Sequence, residues 1–255
     1  MHNTLKILGC SGSISKGHRT TCFKINENIL IDAGSGVLDL TIDELKKLDH
    51  IFITHSHLDH ILGIPLLADA IGSLKRKPIN IYAAAETINA LKNNIFNNII
   101  WPDFSTIPSK TKPFIKYHLI NDKDITIKSI RIKPFKVNHT VPAIGFKISS
   151  KTSSIIFSGD TGPSPNFIKV INDAKDLQAV IIDVSFQDKN SKIAKLSKHF
   201  TPTQLSNELK KITDKQVIYI THNKPGNEQK ILREIQSKKM QHTIKVLKRN
   251  KLFTL

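Results

Sequence analysis

The sequence predicts an α/β (α+β) fold in which two β-sheets pack against each other between outer helices. Apolar runs of strand length alternate along the chain with longer segments of helical periodicity. The predicted strands fall into two groups, each accompanied by helices, which is typical of two sheets with helices on their outer faces. The 255 residues contain no linker, repeat or low-complexity stretch. We therefore predict one domain over residues 1–255.

The first group of strands is predicted in the N-terminal half of the chain. Residues 4–10 have a strand pattern that ends in a small-residue loop, and Asn26-Glu27 separates two apolar runs as a hairpin turn does. Pro65 lies near the first turn of a predicted helix, where proline is tolerated. The predicted strands are 4–10, 20–25, 28–32, 50–54 and 79–82, and the predicted helices are 37–48, 61–74 and 85–95.

The second group of strands is predicted in the C-terminal half. Residues 114–139 alternate apolar and polar side chains with a period of two, which is typical of strands with one buried face. Another apolar strand begins at residue 154 and ends before Asp160. The remaining predicted strands are 143–148, 179–183, 216–220 and 243–254, the last of which closes the sheet, and the predicted helices are 165–173, 203–212 and 227–239.

Four side chains of metal-ligand type follow the strand at 50–54: His55, His57, Asp59 and His60. Residues two apart in an extended chain point to the same side, so His55 and His57 can share one ion. Asp59 and His60 are expected to bind a second ion nearby. Imidazole and carboxylate ligands suit zinc, and also manganese or iron. A merely polar loop is the alternative, but this density of ligand types after an apolar strand favours a metal site on a strand-to-helix loop.

The segment from His55 to His60 resembles the His-x-His-x-Asp-His signature of the metallo-β-lactamase superfamily. Leu58, which precedes the aspartate, is the form found in class II cyclic-nucleotide phosphodiesterases. The resemblance covers essentially the whole chain and implies a four-layer αββα sandwich. Further matching segments are Asp32-Ala-Gly34, Ile100-Trp-Pro102, Ser158-Gly-Asp-Thr-Gly-Pro163 and Thr221-His-Asn-Lys-Pro225.

The resemblance also implies a set of site residues and cofactors. It implies two divalent metal ions, Zn²⁺ in the first place, with Mn²⁺ or Fe²⁺ as alternatives. Asp59 and Asp160 would serve both as ligands and in catalysis, and His199 is the candidate proton donor to the leaving oxygen. The alternative for His199 is a surface histidine at a helix start. The implied ligands are His55, His57 and His139 for one ion, Asp59, His60 and His222 for the other, and Asp160 as the bridge.

The activity implied by the resemblance is hydrolysis of 3′,5′-cyclic nucleotides to 5′-monophosphates through a metal-bridged hydroxide. The expected partner is therefore a small anionic nucleotide. One alternative is the 3′-processing endoribonuclease of tRNA, which typically uses a long flexible arm. Such an arm is not visible here, because strand-like sequence fills most of residues 140–159. Other metallo-hydrolases on this fold are further alternatives, and a β-lactamase is less favoured. A non-enzymatic nucleic-acid-binding protein is a remote alternative.

The charge of the chain bears on the class of partner that it binds, and its cysteine content bears on the cellular compartment. The net charge of +17 would suit nucleic acid, but only five of the 38 basic residues are arginine and the lysines are scattered. We therefore do not favour a nucleic-acid partner, although the positive field would attract an anionic substrate. Two cysteines, no apolar run of membrane length and no visible signal peptide predict a cytoplasmic protein without disulfides or membrane contact. The sequence leaves open a homodimer and the role of Trp101, which either packs or stacks on a purine.

Overall fold

The computed structural model describes residues 3–255 and contains two large β-sheets. The strands are β1 (Thr4–Gly9), β2 (Cys22–Ile25), β3 (Ile29–Ile31), β4 (His50–Phe52), β5 (Ile79–Ala83), β6 (Pro108–Ser109), β7 (Lys112–Pro113), β8 (Ile115–Leu119), β9 (Ile125–Ile127), β10 (Ile130–Lys136), β11 (Ile144–Ser149), β12 (Ser154–Phe157), β13 (Leu177–Asp183), β14 (Val217–Thr221), β15 (Thr243–Val246) and β16 (Leu252–Thr254). The α-helices are α1 (Ile42–Lys47), α2 (Leu58–Ile61), α3 (Gly63–Ile71), α4 (Ala85–Ala90), α5 (Pro165–Asn172), α6 (Ser191–Ser197), α7 (Pro202–Leu209) and α8 (Glu228–Gln236).

Each large sheet has seven strands and combines antiparallel with parallel pairing. The first sheet has the order β16-β1-β2-β3-β4-β5-β8, and the second has the order β15-β14-β13-β12-β11-β10-β9. Strands β3, β4, β5 and β8 are parallel in the first sheet, as are β12, β13, β14 and β15 in the second. Parallel neighbours end at the same edge of a sheet, which collects the residues that follow them.

The two sheets pack face to face through a fully buried apolar layer. Phe23 of the first sheet meets Phe157 of the second with ring centroids 4.7 Å apart, and Phe52 meets Phe146 at 6.0 Å. Two further apolar clusters fill the outer faces, one beneath α3 and the other beneath α5, α7 and α8. The order is therefore helix, sheet, sheet, helix, which confirms the predicted four-layer αββα sandwich.

The single helix predicted at 37–48 is wrong, because the chain forms two short helices there. A 3₁₀-helix covers Ser35–Asp39, and α1 starts only at Ile42. Thr41 accepts a hydrogen bond from the amide of Glu44, whose side chain accepts one from the amide of Thr41. This reciprocal capping box starts a new helix at a point where apolar spacing alone predicts continuity.

The prediction that 243–254 closes one sheet is also wrong. Strand β15 joins the edge of the second sheet beside β14, whereas β16 crosses to the first sheet and pairs with β1. Helix α6 and the two-stranded ribbon of β6 and β7 were not predicted. Choice of sheet depends on contacts between distant parts of the chain, which local patterns do not encode.

Several smaller expectations concern the surface and the cysteines. Within residues 3–255, no helix combines the length and the apolar content that crossing a membrane requires. Cys10 and Cys22 are both free, as predicted. Trp101 is partly buried against the apolar cluster beneath α3, while its neighbours Ile99 and Ile100 are exposed.

Candidate metal centre

The predicted site residues follow the carboxyl ends of parallel strands in both sheets. In the first sheet, Asp32 follows β3, and His55 and His57 follow β4. In the second sheet, Asp160 follows β12 and His222 follows β14. This placement explains why residues far apart in the sequence meet, since the ends of parallel strands form a common edge.

The metal-ligand segment is divided between a loop and a helix. His57 is the extended N-cap residue of α2, so Asp59 and His60 lie in the first helical turn. The helix predicted to begin at residue 61 therefore begins at Leu58, and only His55 and His57 lie in the loop. Entry into the helix turns Asp59 and His60 away from the preceding pair, which separates the segment into two pairs of side chains.

The first group of side chains contains three imidazoles and one carboxylate. Nδ1 of His57 lies 3.0 Å from Nε2 of His55 and 3.2 Å from Nε2 of His139. Oδ2 of Asp160 lies 3.7 Å from Nε2 of His55. The ligand atoms all lie within 4.8 Å of one another. Metal–nitrogen bonds of 2.0–2.1 Å, the values for zinc, place the nitrogens of a tetrahedral site about 3.3 Å apart, so this group has the spacing of a tetrahedral metal site.

The second group is built around the same carboxylate oxygen of Asp160. Nε2 of His222 lies 3.1 Å from Oδ2 of Asp160 and 3.0 Å from Oδ2 of Asp59. Nε2 of His60 lies 3.3 Å from Oδ2 of Asp160 and 3.9 Å from Oδ2 of Asp59. The structure thus brings all seven predicted ligands together in two groups that share Asp160.

Hydrogen bonds fix the tautomers of His55 and His60. Nδ1 of His60 donates to Oδ2 of Asp32 at 2.7 Å. Thr54 donates its hydroxyl proton to Asp32, so its oxygen accepts the hydrogen bond from Nδ1 of His55 at 3.0 Å. Both rings therefore turn the lone pair of Nε2 toward the ligand groups. Asp32 supports the metal loop from below through these hydrogen bonds.

The histidines from the second sheet are held in the same way. Nδ1 of His139 donates to the carbonyl oxygen of Lys198 at 3.3 Å. The hydroxyl of Ser185 donates to Asp183 at 2.7 Å and accepts from Nδ1 of His222 at 2.8 Å. Metal-binding histidines commonly donate their second ring nitrogen in this manner, because the bond fixes the ring and raises its basicity.

Two observations test whether these groups fit metal ions. Nε2 of His60 is buried and makes no hydrogen bond within residues 3–255, although Oδ2 of Asp160 is close to it. Its lone pair and the carboxylate repel each other unless a cation or a proton lies between them. Nε2 of His55 and Nε2 of His139 also both face Nδ1 of His57, and one ring nitrogen cannot satisfy both by hydrogen bonding alone. The residues therefore fit divalent metal ions.

Burial and charge set the protonation of the ligand groups. Burial lowers the pKa of His55 well below its ordinary value, and lowers that of His139 to about 4. Burial also lowers the pKa of His57. These rings are neutral at pH 7, which is the form that binds metal. For His60, burial lowers the pKa, but the carboxylates of Asp160 and Asp32 raise it by more, so the pKa lies well above its ordinary value. A proton and a metal ion therefore compete for the lone pair of Nε2.

His199 is buried beside the second group and does not lie on the surface. Nδ1 of His199 donates to Oδ2 of Asp183 at 2.6 Å, and its ring stacks on that of His222 with centroids 5.2 Å apart. Burial lowers the pKa of His199, but the Asp183 carboxylate outweighs it and raises the pKa above its ordinary value. The roles of Asp183 and Ser185 were not predicted, although Asp183 stands at the end of a buried apolar strand, as Asp160 does.

The loop that follows β1 encloses His222 from the other side. The amide of His222, in the left-handed conformation with φ 60°, donates to the carbonyl of Cys10 at 2.9 Å. A Cβ atom on Gly12 would lie 2.3 Å from the carbonyl oxygen of His222. Glycine is therefore required at residue 12, because any side chain would displace His222. The small-residue loop predicted at the end of the first strand thus has a packing role next to the candidate site.

Comparisons with known proteins relate the chain to a family of known fold. A family model described as "Beta-lactamase superfamily domain" matches residues 27–222. A ribonuclease Z of Thermococcus kodakarensis is 33% identical over 129 residues, which cover 49% of this chain and 38% of that protein. A probable 3′,5′-cyclic-nucleotide phosphodiesterase of Yersinia pestis is 28% identical over 248 residues, which cover 80% of this chain and 71% of that protein. The chain thus matches well under half of the ribonuclease Z.

A solved structure shares the whole architecture. Unliganded yeast PDE1 superposes with a TM-score of 0.81 at 19% sequence identity, covering 100% of this chain and 99% of that chain. At this identity the likeness shows the fold alone. Family, fold and clustered ligands together support a metal-dependent hydrolase.

Proposed function

Because the chain belongs to the beta-lactamase superfamily, we propose that it is a dinuclear metal-dependent phosphodiesterase that hydrolyses 3′,5′-cyclic nucleotides to nucleoside 5′-monophosphates. The observation that carries this proposal is the convergence of seven ligand side chains into two groups that share Asp160. Zn²⁺ is the proposed ion, since histidine and carboxylate ligands suit it well. The proposed ligands are His55, His57, His139 and Asp160 for one ion and Asp59, His60, His222 and Asp160 for the other.

The chain's own residues would orient the substrate and supply a proton. When bound, the two ions would lower the pKa of water and offset the negative charge of the phosphodiester. Asp59 and Asp160 take part by fixing the positions of those ions. His199 is the proposed proton donor to the leaving oxygen, because its Nδ1 is held by Asp183 and its Nε2 makes no hydrogen bond within residues 3–255. The Asp183 carboxylate stabilises the protonated ring that this role needs.

A cyclic nucleotide is the proposed substrate because of local features of the chain. Leu58, the Ile100-Trp-Pro102 segment and the Thr221–Pro225 segment resemble the phosphodiesterase pattern. Residues 140–159 hold β11, β12 and short connections, so this stretch contains no long flexible insertion. The Yersinia pestis relative aligns over more of the chain than the ribonuclease Z does. The small anionic nucleotide would be attracted by the net charge of +17.

A tRNA-processing endoribonuclease is the second candidate. It is favoured by the higher identity to the ribonuclease Z of Thermococcus kodakarensis over the aligned half of the chain. The basic surface would also suit RNA. For either activity we propose a cytoplasmic location, which fits the two free cysteines.

One experiment separates these candidates. Zinc-loaded protein, with its metal content measured on the same sample, is assayed against cyclic AMP, cyclic GMP and a pre-tRNA that carries a 3′ trailer. We expect hydrolysis of at least one cyclic nucleotide, its loss after chelation, and its return when zinc is added back. Cleavage of the pre-tRNA while both cyclic nucleotides stay intact would overturn the proposal in favour of the second candidate.

A further inference from the structure

A recess of about 330 Å³ lies beside the candidate metal centre. Ala194 lines it from α6, and Gly162 and Pro163 line it from the loop that follows Asp160. His199, the proposed proton donor, also lines it. Its volume is at the lower end of the range for small-molecule sites, which suits one ring system and excludes a folded RNA.

The recess shares its walls with the residues that hold the metal centre. Lys198, which lines the recess, donates from Nζ to the carbonyl oxygen of His139 at 2.7 Å. The next residue, His199, stacks on His222. A group bound in the recess would therefore lie next to ligands of both candidate ion sites and next to the proposed proton donor.

The surface of the recess suits a flat ring with a polar edge. Gly162, Pro163 and Ala194 present small, largely apolar surfaces. Asn138 and Gln204 supply amide groups whose hydrogen-bonding directions are fixed. Nδ2 of Asn138 donates to the carbonyl of Pro163 at 3.0 Å, and Oε1 of Gln204 accepts from the amide of Thr201 at 3.0 Å.

These two amides each keep one group available for a ligand. Within residues 3–255, Oδ1 of Asn138 and Nε2 of Gln204 have no hydrogen-bond partner. The two amides therefore offer one acceptor and one donor beside an apolar surface, in a recess that Lys195 and Lys198 also line. A nucleobase has flat apolar faces and an edge that carries both donors and acceptors, so it matches this arrangement.

We propose that the recess binds the base of the nucleotide substrate and so determines that this enzyme acts on nucleotides rather than on phosphodiesters in general. This inference rests on the proposed phosphodiesterase function. Contact with the base would lower KM for cyclic nucleotides, because it holds the ring in place without taking part in the reaction.

Two substitutions change the surface of the recess without disturbing the structure around it. Gly162→Ala adds a methyl group whose nearest neighbours are atoms of Lys198 at 3.5–3.7 Å, so the protein accommodates it while the recess shrinks. Gln204→Glu keeps the acceptor that caps α7 at Thr201 and replaces the free donor by an acceptor. Gln178→Glu, at an exposed position on β13, is the matched control.

The test compares cyclic AMP with a base-free ribose 3′,5′-cyclic phosphate, which has the same reacting group. For the zinc-loaded wild type, we expect kcat/KM to favour cyclic AMP by at least about tenfold. Gly162→Ala and Gln204→Glu should each reduce this preference by about tenfold through KM, whereas Gln178→Glu should keep it. Because both substrates carry the same charge, the added carboxylate of Gln204→Glu affects both and cancels in the ratio.

A second readout does not depend on turnover. By titration calorimetry, zinc-loaded protein should bind adenosine 5′-monophosphate more tightly than ribose 5-phosphate, and both recess variants should reduce this difference. Equal kcat/KM for the two cyclic substrates in the wild type, or an undiminished preference in both variants, would overturn the inference and leave the phosphodiesterase function standing. Failure of the wild type to hydrolyse cyclic AMP, cyclic GMP and the base-free cyclic phosphate would refute both.

Discussion

Replacement of Asp32 by asparagine tests whether the hydrogen bond between Asp32 and His60 supports metal binding. Asp32 is fully buried, and its oxygens accept hydrogen bonds from the amide of Thr54 at 2.8 Å and from Nδ1 of His60 at 2.7 Å. Its backbone is left-handed, with φ 54°, a conformation that asparagine also tolerates. Asp32→Asn therefore keeps the size, the backbone and, at Oδ1, an acceptor for both the amide and the hydroxyl of Thr54. It replaces Oδ2, which accepts from Nδ1 of His60 and also from the Thr54 hydroxyl, by an amide NH₂.

The expected magnitude follows from the tautomer of His60. An amide NH₂ facing Nδ1 favours the tautomer that carries its proton on Nε2, which removes the lone pair directed at Asp160. Loss of such a supporting contact typically weakens metal binding 10–100-fold, about 1.4–2.7 kcal/mol. The first ligand group does not include His60, so its affinity should change little.

The assay is a competitive zinc titration against a chromophoric chelator. Wild-type protein should bind two ions, and Asp32→Asn should bind one ion with nearly unchanged affinity and the other 10–100-fold more weakly. Asp122→Asn, at an exposed position, is the matched control and should behave as wild type. Two sites of wild-type affinity in Asp32→Asn would refute the argument that Asp32 fixes the tautomer of His60.

The remaining predictions concern catalysis and stability. Asp160→Ala and His57→Ala should each abolish hydrolysis while the circular dichroism spectrum stays native, and near-wild-type turnover of zinc-verified His57→Ala would contradict the proposed site. His199→Ala should lower kcat roughly a hundredfold or more without loss of zinc, and a substrate with a far better leaving group should recover most of that loss. An equal loss on both substrates would assign His199 a binding or structural role. Thr41→Ala should lower the free energy of unfolding by about 1 kcal/mol in urea titration, because it removes the cap of α1, and a change within error would show that this cap contributes nothing.

Contiguous motifs made most of the site predictable from sequence. Asp59 and His60 lie within a few residues of His57, and Asp160 stands at the end of an apolar strand, so both the ligand types and their positions could be recognised locally. Asp183 also ends an apolar strand, but its partner His199 is separated from it by α6. Nothing in the local pattern indicates that these two side chains are hydrogen-bonded.

The parts of the fold that could not be predicted depend on distant contacts or on caps. Helix α6 is rich in lysine and serine, and it ends at Lys198 in a left-handed conformation that sequence patterns normally associate with glycine. Strands β15 and β16 have similar local patterns, yet pairing with β14 or β1 assigns them to different sheets. The capping box at Thr41 could have been recognised in the sequence, but the apolar spacing across residues 37–48 indicated a single continuous helix.

Each of the two ligand groups contains side chains from both sheets, so neither group can form until strands of both sheets have been synthesised. His57 and His139 are separated by 82 positions in the sequence, and Asp59 and His222 by 163. During synthesis, the second group cannot be complete until residue 222 has left the ribosome and β14 has paired with β13. Binding of the proposed zinc ion to that group would therefore follow the folding of most of the chain. Once bound, each ion would act as a cross-link between the sheets, so growth in zinc-poor medium should yield folded protein that unfolds at lower temperature and regains its Tm when zinc is added.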